Sequence, residues 1–179
     1  FRSEGNMKKL SILFLILLIQ GCATFNDALT PKVKITKDDY HDSTIISQQA
    51  VSAAADLSES YHMLGFNWNS KYPDQIVLAV GVDGVDNVTG ACFKIEELEI
   101  CSKSASYTNY GSQSYNYFSI SLDEFKKIAN ADIVKMKVSR LDKYSLSSFG
   151  KKRELAIVNK KFQPFLDAIA KYRGEEPEK

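Results

Sequence analysis

Side chains able to do chemistry are few in this chain, and the densest group of them surrounds His41. This histidine lies among three aspartates, Asp38, Asp39 and Asp42. An imidazole beside carboxylates can bind a metal ion or act as a general base. The chain's other histidine, His62, lies too far along the sequence to complete a local metal site. We therefore expect no metal ion, and a hydrolase with a site near His41 remains an alternative.

The rest of the sequence lacks the motifs of common catalytic sites. It has no Gly-x-Ser-x-Gly elbow, no phosphate-binding glycine-rich loop and no zinc-ligand spacing. Ser147 and Ser148 have no neighbouring base in the sequence, and His62 reads as a partly exposed residue at the start of a strand. We expect no catalytic residue, no cofactor and no enzyme activity.

The N-terminal segment has the pattern of an export signal. Lys8 and Lys9 follow Met7 and precede an apolar run over residues 10–19. A helix of that length spans about 15 Å, which is roughly half of a bilayer core, so the run is too short to be a membrane anchor. The pattern predicts that residues 1–21 are a leader and signal peptide, with residues 1–6 upstream of the true start.

The end of this run, Ile19-Gln20-Gly21-Cys22, resembles the lipobox of bacterial lipoproteins. Ile19 and Gly21 match that motif, and Gln20 stands where a small residue is usual. The resemblance implies that Cys22 becomes the lipid-modified N-terminus, which anchors the protein in a membrane. Because Ala23 follows the cysteine and not Asp, the resemblance also implies an outer-membrane protein facing the periplasm. The remainder of the chain resembles small envelope lipoproteins.

Two cysteines remain, Cys92 and Cys101, in a compartment that is expected to be oxidising. A hairpin that turns at Glu96-Glu97 would place Cys92 directly opposite Cys101. The same register puts Phe93, Ile95, Leu98 and Ile100 together on the opposite face, because side chains alternate along a strand. We expect a Cys92–Cys101 disulfide, and two buried thiols are the alternative.

A tyrosine-rich polar segment is the best candidate for a binding site. Four tyrosines lie among Ser, Asn, Gly and Gln: Tyr107, Tyr110, Tyr115 and Tyr117. This composition resembles that of binding loops, where tyrosine supplies contact area at low entropic cost and the small polar residues adapt. The alternative is a loop whose rings pack back on the sheet.

Several short elements must position these residues. Residues 22–37 read as a tether, 38–174 as one globular domain and 175–179 as a frayed tail. Within the domain, alternating or apolar runs predict strands at 43–47, 62–69, 75–82, 92–101 as a hairpin, 116–120, 132–140, 143–149 and 154–159. A Ser-x-x-Glu capping box predicts a helix over 121–130, and an apolar stripe predicts a closing helix over 163–173.

About eight strands and two short helices, without a βαβ rhythm, predict a mainly β, antiparallel α+β domain or a β-sandwich. The net charge of +1 argues against a nucleic-acid partner. The expected function is that of a lipid-anchored binding or accessory protein of the bacterial envelope, with a protein partner. A carrier of a small apolar ligand is a further alternative.

Overall fold

The computed structural model describes residues 31–104 and 106–175. Cys22, the predicted leader and most of the predicted tether lie outside these ranges. The described residues form nine strands: β1 Lys34–Asp38, β2 Ser43–Ser52, β3 His62–Asn69, β4 Gln75–Asp83, β5 Gly90–Ile95, β6 Leu98–Lys103, β7 Gln113–Ser121, β8 Val134–Ser139 and β9 Tyr144–Phe149. The two helices are α1 Leu122–Asn130 and α2 Asn159–Arg173.

The strands form two antiparallel sheets. The five-stranded sheet has the order β1-β2-β3-β4-β7, and the four-stranded sheet has the order β6-β5-β8-β9. Every neighbouring pair in both sheets is antiparallel. The prediction of a mainly β, antiparallel fold with two helices is therefore confirmed.

The core lies on one face of the five-stranded sheet and is shared with the other sheet and both helices. Alternation along β3 turns Leu64, Phe66 and Trp68 into this core, where each is buried. Phe66 is its centre, because its ring packs within 5.5 Å of three aromatic rings from the helices, those of Phe125, Phe162 and Phe165.

Both helices end as their sequences indicate. At the start of α1 the Ser121 hydroxyl accepts a hydrogen bond from the Glu124 N–H at 3.1 Å, and the Glu124 carboxylate accepts one from the Ser121 N–H at 2.8 Å. This reciprocal pair is the predicted capping box. At the end of α2, Gly174 adopts a left-handed conformation with φ of 72°, which glycine allows at little cost.

The β5–β6 hairpin has the predicted register. Cys92 lies opposite Cys101, and Ile95 lies opposite Leu98. The two sulfur atoms are joined in a disulfide. Glu96 provides the positive φ that this two-residue turn requires, with a value of 51°.

The first strand begins inside the segment predicted as a tether. Lys34 pairs with Ser47 and Asp38 with Ser43, so β1 adds an edge strand to the five-stranded sheet. Its side chains are almost all exposed, which explains why no hydrophobic pattern signalled the strand. The folded part therefore starts before residue 38, and the predicted tether is shorter.

The predicted strand at 154–159 is wrong. The segment forms successive turns, with the Ala156 N–H bonded to the Arg153 carbonyl and the Asn159 N–H to the Ala156 carbonyl. Ala156 and Val158 are buried while Leu155 is exposed, so burial alternates as in a strand although no ladder forms. The closing helix begins at Asn159, which is earlier than predicted.

Candidate functional site

The group around His41 is exposed and local. The His41 Nδ1 lies 2.8 Å from the Asp38 carboxylate, and the Asp39 carboxylate lies 3.8 Å from the Lys37 amine. The hydrogen bonds from His41 hold the pKa of Asp38 below its usual value. Among the described residues, the one set with metal-ligand spacing is elsewhere, at Cys92, Glu99 and Cys101. Both of its sulfur atoms are used by the disulfide.

His62 is the residue that sequence reasoning misplaced. It is fully buried and not partly exposed, and it joins the two sheets. Its Nδ1 lies 2.8 Å from the Ser147 hydroxyl, and its Nε2 lies 2.8 Å from the Ser145 hydroxyl, both on β9. His62 is on β3 of the five-stranded sheet, so these hydrogen bonds cross the core. No sequence pattern predicts this contact, because residues 62, 145 and 147 are polar residues on strands that are far apart along the chain.

The proton positions in this network follow from Arg140. Its guanidinium donates to the Ser145 hydroxyl at 2.7 Å and to the Asp86 carboxylate at 3.1 Å. His62, Ser145 and Ser147 are all paired when the Ser145 hydroxyl donates to His62 Nε2 and the His62 Nδ1–H donates to Ser147. Burial, followed by the nearby Arg140 charge, lowers the pKa of His62 to about 4. His62 is therefore neutral at pH 7 and acts as a hydrogen-bonded link between the sheets.

A second, partly buried polar cluster covers the outer edge of β9. The Glu59 carboxylate accepts hydrogen bonds from the backbone N–H groups of Ala55 and Ser148, at 3.1 and 3.0 Å, and from the Ser148 hydroxyl. Arg153 donates to the same carboxylate at 3.1 Å. Burial opposes the charge of Glu59, but these hydrogen bonds outweigh it and lower the pKa of the carboxyl.

The four candidate tyrosines fall into two groups. Tyr107 and Tyr110 lie in the loop between β6 and β7, where their side chains are 96% and 56% exposed. Tyr115 and Tyr117 lie on β7, and Tyr117 is 42% exposed. We call Tyr107 and Tyr110 the loop tyrosines.

The loop that carries the loop tyrosines is held in place by hydrogen bonds to β7 and to buried residues. Asn109 and Tyr115 exchange two backbone hydrogen bonds of 2.7 and 2.9 Å, so the loop backbone runs along the edge of β7. The buried Asn116 amide donates to the Val88 carbonyl at 2.7 Å, and its oxygen accepts from the Ser106 hydroxyl at 2.7 Å. Thr108, also buried, donates to the Asn87 side chain at 2.8 Å. The loop therefore presents its tyrosines from a fixed backbone.

Tyr115 packs back on the sheet. Its ring lies over Gly81 of β4 and occupies the space that a Cβ atom would need there. Its hydroxyl donates to the Gln113 side chain at 2.7 Å, and the Met63 sulfur lies 2.9 Å from the same oxygen. Burial, together with the neighbouring phenols of Tyr61 and Tyr117, raises the pKa of Tyr115. We call Tyr61, Tyr115 and Tyr117 the sheet tyrosines.

Family models, curated proteins and solved structures give no match to this chain. Neither of the two described helices has both the length and the apolar composition that crossing a bilayer requires.

A groove of about 330 Å³ lies between the two helices and is one place where a small ligand could sit. Apolar side chains such as Leu122, Phe162 and Leu166 line it, but so do charged ones such as Arg173 and Glu175. This mixed groove differs from the enclosed apolar cavity that a carrier of apolar ligands needs. The centre of the fold is occupied by the Phe66 cluster.

Proposed function

We propose that this protein is a lipid-anchored binding protein of the bacterial envelope that holds a protein partner through its loop tyrosines. The observation that carries the binding role is the contrast between the exposed loop tyrosines and the buried side chains beneath them. Exposed aromatic side chains on a fixed backbone lose little conformational entropy when they bind a partner.

The anchor rests on the lipobox-like residues that end at Cys22. The Cys92–Cys101 disulfide is compatible with this location, because structural disulfides persist in oxidising compartments outside the cytosol. A Cys22→Ser substitution should abolish incorporation of radiolabelled palmitate. The matched control is the pair Cys92→Ser/Cys101→Ser, which removes the other two cysteines and should keep the label. Persistence of the label in Cys22→Ser would contradict lipidation.

The loop suits a protein partner better than a small molecule. Tyr107 and Tyr110 are exposed, whereas small ligands bind in concave pockets that cover most of their surface. Tyrosine is among the residues that are most enriched in protein interfaces, because its ring is apolar and its hydroxyl forms hydrogen bonds.

Photo-crosslinking in cells tests this proposal on the full chain. A benzophenone amino acid placed at position 107 should give one discrete adduct with an envelope protein, and Tyr110→Ser should reduce its yield. The control places the same group at Tyr144, which is also exposed but lies on β9 of the other sheet. Absence of an adduct at position 107, or the same adducts from position 144, would refute the partner role of the loop.

A further inference from the structure

The outer face of the five-stranded sheet is open and almost free of charge. Along β3, β4 and β7 the side chains that point away from the core include Asn67, Val77, Ala79, Tyr117 and Ser119. The outward-facing positions on these strands are uncharged except Asp83, at the end of β4. Because 25% of the residues in the chain are charged, this face has an unusual composition for an exposed surface.

The sheet tyrosines form an aromatic group at one end of this face. Tyr61 precedes β3 and is half exposed, and Tyr117 lies two positions along β7 from Tyr115. Carbon atoms of the Tyr115 ring occupy the position of a Cβ atom on Gly81, so this ring is held against the sheet. Tyr115 thus offers a ring that is already ordered, and Tyr117 offers an exposed ring beside it.

Neutral hydrogen-bonding side chains lie beside the tyrosines. Asn67 is partly buried, and its amide forms no hydrogen bond within the described residues, so it can donate and accept in a complex. It pairs with Ser47 on β2 and Val77 on β4, and Val77 pairs with Ser119 on β7. These four residues therefore form one row across the sheet. The next row contains Ala79 and Tyr117.

The chemistry of this face indicates what it binds. Aromatic rings stack on flat ligands that have an apolar face, and uncharged amides and hydroxyls form hydrogen bonds with other hydroxyl groups. Sugar rings combine both properties, with apolar C–H faces and equatorial hydroxyl groups. Tyr117 lies beside the small Ala79, and the neighbouring row supplies the hydrogen-bonding groups of Asn67 and Ser119.

We propose that this open face binds a neutral glycan. Three strands give a width of about 10 Å, and the part of β7 from Tyr115 to its end gives a length of about 20 Å, so several linked sugars fit along it. The site uses residues other than the loop tyrosines and does not depend on the anchor.

Titration calorimetry of the full chain in detergent tests the site. The probes are neutral pentasaccharides of N-acetylglucosamine and of glucose, with a pentamer of galacturonate as the anionic comparison. At least one neutral probe should bind, with an affinity that changes little between low and high salt. Tyr117→Ala and Asn67→Ala should each weaken that binding by about tenfold, whereas Tyr117→Phe, which keeps the ring, should retain it.

A matched control separates this site from the proposed partner loop. The pair Tyr107→Ser/Tyr110→Ser should leave glycan binding unchanged, and Tyr117→Ala should leave crosslinking at position 107 unchanged. Circular dichroism of each variant checks the fold. Failure of all neutral probes to bind, binding that Tyr117→Ala and Asn67→Ala both leave intact, or an adduct with a protein from a crosslinker at Val77 would overturn the proposal.

Discussion

His62 Nδ1 lies 2.8 Å from the Ser147 hydroxyl in the core, where it links a strand of the five-stranded sheet to a strand of the four-stranded sheet. The imidazole is completely buried and its pKa is lowered to about 4 by burial and by the Arg140 charge. Because this contact involves a neutral imidazole, the packing of the two sheets against each other depends on pH.

The protein should therefore lose stability in mild acid. The unfolded chain binds a proton at His62 near pH 6.5, but the folded chain binds it only near pH 4. Stability is thus fully present above about pH 6.5, and about 3 kcal/mol of it is lost as the pH falls to 4. Urea unfolding at several pH values measures this slope. His62→Gln should flatten it and the exposed His41→Gln should not; an unchanged slope in His62→Gln would exclude this source.

Loss of the Glu59 carboxylate should strongly destabilise the fold. Glu59→Ala leaves two backbone N–H groups without their acceptor and removes the ion pair with the partly exposed Arg153, at a cost of about 2 to 3 kcal/mol. Chemical unfolding measures this cost. The exposed Glu154→Ala is the control and should change stability by less than about 0.5 kcal/mol. Equal effects of the two substitutions would mean that the contacts of Glu59 contribute little.

Two glycines with positive φ provide a matched pair. At Gly150 the φ is 119° and a Cβ would lie 2.6 Å from the Asp132 carbonyl oxygen, whereas at Gly84 the φ is 75° and the space is open. Gly84→Ala should cost about 1 kcal/mol from backbone strain alone, and Gly150→Ala about 3 kcal/mol or more. Thermal unfolding of both variants compares them, and similar midpoints would show that the close approach to Asp132 is readily relieved.

Removing the disulfide should lower stability without changing the fold. The bridged cysteines are 9 positions apart, and closing a loop of that size contributes about 2 to 3 kcal/mol. The pair Cys92→Ser/Cys101→Ser should show this loss in urea unfolding. Reductant should produce a similar loss in the native chain and none in the variant. A native chain indifferent to reductant would contradict the expected contribution.

Asn116→Ala should release the partner loop. Asn116 is buried and bonds both the Val88 carbonyl and the Ser106 hydroxyl, so its removal frees residues 106–112 from the sheet. Amide hydrogen exchange in that loop should accelerate, while exchange in α1 stays slow. The exposed Asn130→Ala is the control. Unchanged protection of the loop would show that the Asn109–Tyr115 backbone pair holds it alone.

Local signals explain what the sequence predicted well. The β5–β6 register follows from strict alternation around a two-residue turn, and the disulfide follows from that register. The start of α1 follows from Ser121 and Glu124, whose contact spans three residues. In these cases the interacting residues are close in sequence, so their types and spacing are enough to predict the contact.

Contacts between residues far apart in the sequence explain the features that were not predicted from the sequence. His62 is buried because Ser145 and Ser147 meet it from the other sheet, and no local pattern encodes that meeting. Tyr61 joins the sheet tyrosines only because β3, β4 and β7 are neighbours in the sheet. The side chains of β1 are exposed and mostly polar, so they give no strand pattern. Backbone pairing with β2 holds this segment in an extended conformation.

The strand order also has a consequence for how the chain folds. In the five-stranded sheet β4 pairs with β7, and the whole β5–β6 hairpin, a unit of the other sheet, lies between them in the sequence. Until β7 arrives, the apolar strand β4 presents an unpaired edge that another chain can join. Closure of this sheet is therefore a non-local and slow event, and self-association during folding competes with it. Rapid formation of the local β5–β6 hairpin shortens the free chain between β4 and β7, which reduces the conformational search before these two strands pair.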